Sequence, residues 1–294
     1  MSNSMDVTMG SYSSKQAEKL ILVTMHSKVH QQLVQGESIS REEKLPVLYA
    51  TFLSDLARRY GIRRVADWPI SSLDIRCLVF EINEPANRSN IIARLNKDPN
   101  IETAQPLQLF QPLLNDLPVY AQPSDADNTR ANSIASHYND PYLKMQHGFK
   151  TMQVEPSHQW ATGVGVKIAV IDTGLDTEHL DLLDRMIVTR NFVDRNMRQF
   201  NRDVHGTAVA GIIAASGNNG TGVVGVAPEA GILGLKACWQ EIPGSGDTGT
   251  AYCNSFTLAK ALNYSIEQQV DIINLSLGGP RDPLLERLVE TALK

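Results

Sequence analysis

One short apolar run constrains this chain more than any other stretch: Lys167-Ile-Ala-Val-Ile-Asp-Thr-Gly174. An unbroken block of aliphatic residues of strand length, closed by Asp and Gly, reads as a strand buried in a parallel α/β sheet. It delivers a single carboxylate, Asp172, at its C-terminal end, where ligands and reacting groups gather in such sheets. Gly174 lets the chain turn sharply away, which leaves that carboxylate at the rim of a cleft. Taken alone, the same residues also describe an Asp that only caps the following turn.

A second stretch, His205-Gly-Thr-Ala-Val-Ala-Gly-Ile-Ile213, has to be read with the first. It predicts a helix over residues 205–215 rich in small side chains, Gly206, Ala208, Ala210, Gly211, Ala214 and Ala215, which permit close approach to a sheet. A histidine in its first turn sits at the positive end of the helix dipole, which disfavours the imidazolium and leaves a neutral ring to act as a base. A histidine packed into the core is the alternative. Asp172 at a strand end and His205 at a helix start, each beside a glycine, have the form of the orienting acid and general base of a nucleophilic triad.

At 294 residues, 42% hydrophobic and 20% charged, the chain is long enough for one large domain or two ordinary ones. A formal net charge of -5 and the lack of a long Lys/Arg run argue against a nucleic-acid partner. The apolar run Leu20-Ile-Leu-Val23 is too short to span a membrane or to form a signal-peptide core, so no export signal is visible and the compartment stays open. Cys77, Cys238 and Cys253 are too few for a disulfide scaffold and lack metal-ligand spacing. Cys238 ends a predicted strand and Cys253 opens a predicted helix, so a disulfide closing the Gly/Ser-rich segment between them competes with two free thiols.

Residues 1–19 read as a disordered leader. Residues 20–112 read as a small β-α-β-α-β unit, with strands over 20–25, 76–82 and 101–110. Its helices cover 48–60, capped by Gly61, and the stretch from Ser89, with Ile91, Ile92 and Leu95 inward, to the turn before Pro99. Residues 113–139 have the composition of a linker, with Pro118, Pro123, Ser124, Asp125 and Asp127. From 140 to 294 the pattern is α/β: strands over 167–171, 185–192, 231–237 and 270–277 alternate with helices over 205–215, 254–268 and 283–293, which argues for a parallel sheet.

Asp172-Thr-Gly, His205-Gly-Thr-Ala-Val-Ala-Gly, Gly225-Val-Ala-Pro228 and Ile273-Asn-Leu-Ser-Leu-Gly-Gly279 resemble, in order and spacing, four signature blocks of the subtilisin-like serine proteases. The resemblance covers residues 140–294 and implies a doubly wound parallel sheet, incomplete here, and a serine endopeptidase of the Asp-His-Ser type. Within it, Asp172 orients His205, and Ser276, Leu277 and Gly278 bind a polypeptide substrate edge to edge in extended conformation. The unit at 20–112 is similar, more distantly, to the family's inhibitory propeptide, which makes it a partner of the peptidase part. A secreted or periplasmic setting is the family expectation.

The departure from the family lies in what is not encoded. No Gly-Thr-Ser block carrying a nucleophile occurs in the 294 residues, and Ser276 lines the groove in the family rather than facing the histidine. The expectation is therefore the N-terminal portion of a subtilisin-like zymogen, inactive as written, whose strand over 270–277 forms an apolar sheet edge. A non-catalytic peptide-binding or propeptide-type inhibitor protein is the other reading. No cofactor is required. Calcium is a weaker implication of the resemblance, through Asp181, nine residues after Asp172, and Asn219 in the loop Gly217-Asn-Asn-Gly-Thr-Gly222, which an ordinary Asn-Gly turn also explains.

Overall fold

The structure is a computed structural model that describes residues 14–29, 47–113, 137–194, 200, 204–240 and 251–294. Most of the expected leader and linker, and the Gly/Ser-rich segment between Cys238 and Cys253, lie outside the described residues.

The first sheet holds β1 (Leu20–His26), β2 (Ile62–Ile70), β3 (Ile75–Ile82) and β4 (Thr103–Pro106), all antiparallel in the order β2-β3-β1-β4. One face is covered by α1 (Val47–Tyr60) and α2 (Arg88–Leu95). Tyr49, Leu53 and Leu56 of α1 and Ile91 and Leu95 of α2 pack there on Ile21, Val23, Leu78 and Phe80. Ile92 is only half-buried. Gly61 ends α1 at φ +66°, a conformation that costs glycine little.

The alternate residues of the same strands, Leu20, Leu22, Cys77 and Val79, enter a second core shared with the C-terminal part of the chain. That double burial explains why β1 is apolar without alternation.

The expected β-α-β-α-β order omits β2. Its burial follows no period of two, its register slips between Arg64 and Ala66, and Pro69 lies within it. A proline is tolerated because β2 is an edge strand. The single strand expected over 101–110 is likewise two. The chain leaves the first sheet after β4, and β5 (Leu109–Pro112) pairs elsewhere.

Beyond residue 137 come β6 (Lys167–Asp172), β7 (Met186–Asn191), α3 (Val204–Ala214), β8 (Gly231–Lys236), β9 (Cys238–Gln240), β10 (Ala251–Asn254), α4 (Ser255–Glu267), β11 (Ile272–Asn274), β12 (Leu277–Gly278) and α5 (Pro283–Ala292). Four of these strands form a parallel sheet in the order β11-β6-β8-β7. On one face Ile168 and Val170 of β6 meet Val209, Ala210 and Ala214 of α3. On the other, Ala169 and Ile171 meet Phe256, Leu258, Ala259 and Leu262 of α4. Helices on both faces make the sheet doubly wound, an α/β fold.

Helix α4 starts on a capping box: Asn254 Oδ1 accepts from the Phe256 and Thr257 amides, and Thr257 Oγ1 accepts from the Asn254 amide. The strand expected over 270–277 is broken after Asn274, whose Nδ2 donates to Ser276 Oγ at 2.9 Å. Its first part, β11, pairs only with β6 among the described residues and is an edge, with Ile272 50% exposed. Its second part, β12, leaves the parallel sheet for an antiparallel one ordered β12-β5-β10-β9.

Candidate active site

Asp172 is the last residue of β6 and is buried, with Gly174 turning the chain away at φ +114°. The start of α3 comes so close that a Cβ on Gly206 would run into the carbonyl oxygen of Gly174. That approach puts His205 against the strand end, with its Nδ1 2.7 Å from Asp172 Oδ1. The Thr173 amide donates to the same oxygen at 2.7 Å, and the Gly206 amide donates to Thr173 Oγ1 at 3.4 Å. An ionised carboxylate only accepts, so the proton of the neutral ring resides on Nδ1 and the lone pair on Nε2. His205 Nε2 is buried and has no hydrogen-bond partner among the described residues.

The hydrogen bond with Asp172 raises the imidazole pKa above its ordinary value, against the lowering effect of burial, with the carboxylate charge adding to the rise. The helix-dipole argument made from sequence predicted the opposite direction and is corrected here. A helix terminus supplies about half a charge spread over several amides. A full carboxylate charge in direct hydrogen-bond contact outweighs it.

The residues expected to bind substrate, Ser276, Leu277 and Gly278, lie at and beside the edge strand β12, which pairs with the chain's own β5. Leu277 lies opposite Pro112 and Gly278 opposite Gln111, while the Leu113 amide donates to the Ser276 carbonyl at 3.2 Å. On the other side, β10 pairs with β5 through Cys253 opposite Phe110 and Asn254 opposite Leu109. An extended segment is thus held antiparallel between two walls. Sequence reasoning found one wall only. A strand's partner is not written in its own residues, and the four-residue β10 adjoins α4 without a turn signal.

Cys238 and Cys253 face each other across the β9–β10 pair, Cα atoms 4.1 Å apart, and are joined as a disulfide. Cys77 is a buried free thiol in β3, and burial pushes its pKa up.

Asp181 is buried, its Oδ1 accepting from Asn219 Nδ2 at 2.8 Å and its Oδ2 from the Val223 amide at 3.1 Å. Asn219 Oδ1 meanwhile accepts from the Thr221 amide, as in an Asx turn. A residue not singled out from sequence joins this loop: Asp140, also buried, accepts from the Asn218 amide through Oδ2, while its Oδ1 has no partner among the described residues. A buried carboxylate oxygen without a donor is costly, and hard oxygen donors of this kind fit calcium. Among the described residues no group of three His, Cys, Asp or Glu could hold a metal ion, so backbone carbonyls and the Asn219 amide would have to complete such a site.

Residues 163–292 match the subtilase family model. The chain is 40% identical over 151 residues to the major intracellular serine protease of Bacillus subtilis (strain 168), covering 48% of this chain and 44% of that protein. It is 40% identical over 142 residues to thermitase of Thermoactinomyces vulgaris, covering 48% of each. A thermophilic serine proteinase of Bacillus sp. (strain AK1) is 32% identical over 201 residues, 68% of this chain and 42% of that protein. In each pair the match spans less than half of the relative's length. Among solved structures, fervidolysin from Fervidobacterium pennivorans, a keratinolytic enzyme related to subtilisin, superposes with a TM-score of 0.63 at 19% identity, over 99% of this chain and 41% of that one.

Proposed function

The chain belongs to the subtilisin-like serine protease family, and from that premise we propose that its 294 residues supply the acid, the base and the substrate groove of a serine endopeptidase whose nucleophile lies outside them. Asp172 holds the Nδ1 proton of His205 and stabilises the imidazolium once it forms. Nε2 takes the proton of an attacking serine hydroxyl and later gives it to the leaving amine. Substrate adds as an extended strand between β12 and β10, bound through its backbone.

Residues 20–112 act as a propeptide-like unit whose final strand fills that groove in the manner of a substrate. The observation that carries the reading is the 2.7 Å contact between His205 Nδ1 and Asp172 Oδ1 beside a buried Nε2 that has no partner among the described residues. Removing a subtilisin's serine alone costs about as much as removing its whole triad, so the 294 residues by themselves are expected to be inert.

The test is a casein assay on the 294-residue chain and on a version carrying the coding sequence downstream of codon 294. The expected result is no hydrolysis from the first, and serine-reagent-sensitive hydrolysis from the second that Asp172→Asn lowers by several orders of magnitude. Hydrolysis by the 294 residues alone, or an inert extended chain that contains the Gly-Thr-Ser block, refutes the reading.

The alternative, a non-catalytic inhibitor, is favoured by one observation, the central place of β5 in the groove sheet. A downstream sequence without a serine block would select it.

A further inference from the structure

Lys236 is the last residue of β8 and only 2% exposed. The rest of that strand, Gly231-Ile-Leu-Gly-Leu, is small or aliphatic, and an ammonium buried at its end is tolerated only where it is paired and hydrogen-bonded. In the sheet register Lys236 lies directly beside Asp172. Its backbone is fixed on both sides: its carbonyl accepts from the Phe192 amide at 2.9 Å, and the Ala237 amide donates to the Asp172 carbonyl at 2.9 Å. Its Nζ donates to the carbonyl oxygen of Thr173.

Thr173 is itself wholly buried and is the residue whose amide holds Asp172 Oδ1 and whose hydroxyl accepts from the Gly206 amide. The next residue, Gly174 at φ +114°, has no Cβ to restrict rotation of the peptide that follows Thr173. The Lys236 ammonium holds that peptide from outside through the Thr173 carbonyl oxygen.

We propose that Lys236 is a positioning residue for the Asp172–His205 pair: it locks the Thr173–Gly174 peptide, and through Thr173 it holds the carboxylate in the orientation that grips His205. The proposal rests on reading Asp172 and His205 as acid and base. It adds a buried cation on the neighbouring strand, beside Asp172 in the register and bonded to the Thr173 carbonyl.

The test follows the His205 ring by NMR in the 15N-labelled 294-residue chain and does not depend on hydrolysis. Asp172→Asn is the reference, expected to lower the His205 titration midpoint and abolish the downfield Nδ1 proton signal. An Asp172→Asn variant whose His205 titrates as before sinks the acid–base reading itself. Given the expected reference, Lys236→Met should lower the midpoint in the same direction by about one pH unit and weaken the downfield signal. Lys236→Gln, which keeps a donor without the charge, should fall between the two. A Lys236→Met protein with lowered melting temperature but an unmoved His205 midpoint shows that Lys236 only stabilises the sheet, and overturns the proposal. A midpoint that rises shows a through-space charge effect and overturns it too. Should the methionine and glutamine variants not fold, the unsubstituted chain decides. A slowly exchanging Lys236 ammonium coupled to the Thr173 carbonyl supports the proposal, and a freely rotating, fast-exchanging one refutes it.

Discussion

Gly279 stands so close to Phe110 that a Cβ at position 279 would enter the phenylalanine ring. The two belong to different parts of the chain: Phe110 lies in β5, buried, and Gly279 directly follows β12. The contact sets how closely β5 approaches the chain just beyond β12. Gly279→Val should push β5 outward at an overpacking cost of about 1–3 kcal/mol. Hydrogen exchange would then show lost protection at the Leu113 amide, which donates to Ser276. Protection equal to that of the unsubstituted chain would mean that β5 is not held where the contact requires.

His205 gives a signed pH effect. Its folded pKa lies above the ordinary value of 6.5, chiefly through the hydrogen bond with Asp172. A group whose pKa is raised on folding contributes stability that is fully present below the unfolded value and lost as the pH climbs through the folded one. Urea melts between pH 5.5 and 9 should therefore show the unsubstituted chain losing stability relative to His205→Gln as the pH passes above about 6.5. A stability difference that is flat, or that grows with pH, would contradict the pair as described.

Much of this was legible in the sequence for identifiable reasons. β6 and β8 are apolar runs of strand length, α3 is a run of small residues opened by His205, and Asp172 and His205 sit at element ends marked by glycines, so local pattern located both. The breaks in the strands expected over 101–110 and 270–277 were not legible. They arise where the chain changes partner, β5 leaving one sheet for another and β12 leaving β11, and partner choice is a long-range property. Asp140 escaped notice because its interest lies in an oxygen without a donor, which only packing reveals. The direction of the His205 shift was misjudged because the dipole was weighed without the contact distance.

The Cys238–Cys253 disulfide ties β9 to β10, the strand that pairs with β5 opposite β12, across a sequence separation of 15. In the chain-entropy treatment a loop of that size contributes about 3 kcal/mol. Reduction, or the double variant Cys238→Ser/Cys253→Ser, should lower the melting temperature and loosen β10 before the parallel sheet opens. Mass analysis without reductant should find one alkylated cysteine after unfolding, Cys77. Three alkylated cysteines would exclude the bridge.

Calcium is testable at the Asp140–Asp181 loop. Asp140 Oδ1, buried and without a partner among the described residues, is an oxygen that a bound cation would engage. Excess calcium after EDTA treatment should then raise the melting temperature, and Asp140→Asn should blunt that rise while leaving the EDTA-treated melt almost unchanged. A melt indifferent to both EDTA and calcium would leave the Asn-Gly turn as the sufficient account of residues 217–222.

Asn263 holds the first sheet's unit to the second. It is buried on α4, and its Oδ1 accepts from the Ser72 amide at 3.0 Å and faces the Ser71 hydroxyl at 3.3 Å, across the turn that links β2 to β3. Its Nδ2 donates to Glu267 Oε1 at 3.1 Å. Asn263→Ala would leave the half-buried Ser72 amide without its acceptor, at a cost of about 1 kcal/mol. The apolar core around it, with Leu22, Cys77 and Val79 of the first unit among Phe256, Leu258 and Leu262 of α4, is continuous across both units. The two units should therefore unfold together, and the loss should appear as one cooperative transition moved to lower temperature rather than as a second, earlier transition. Calorimetry of the Asn263→Ala chain decides this, with either an unchanged melt or a melt split in two standing against the docking described.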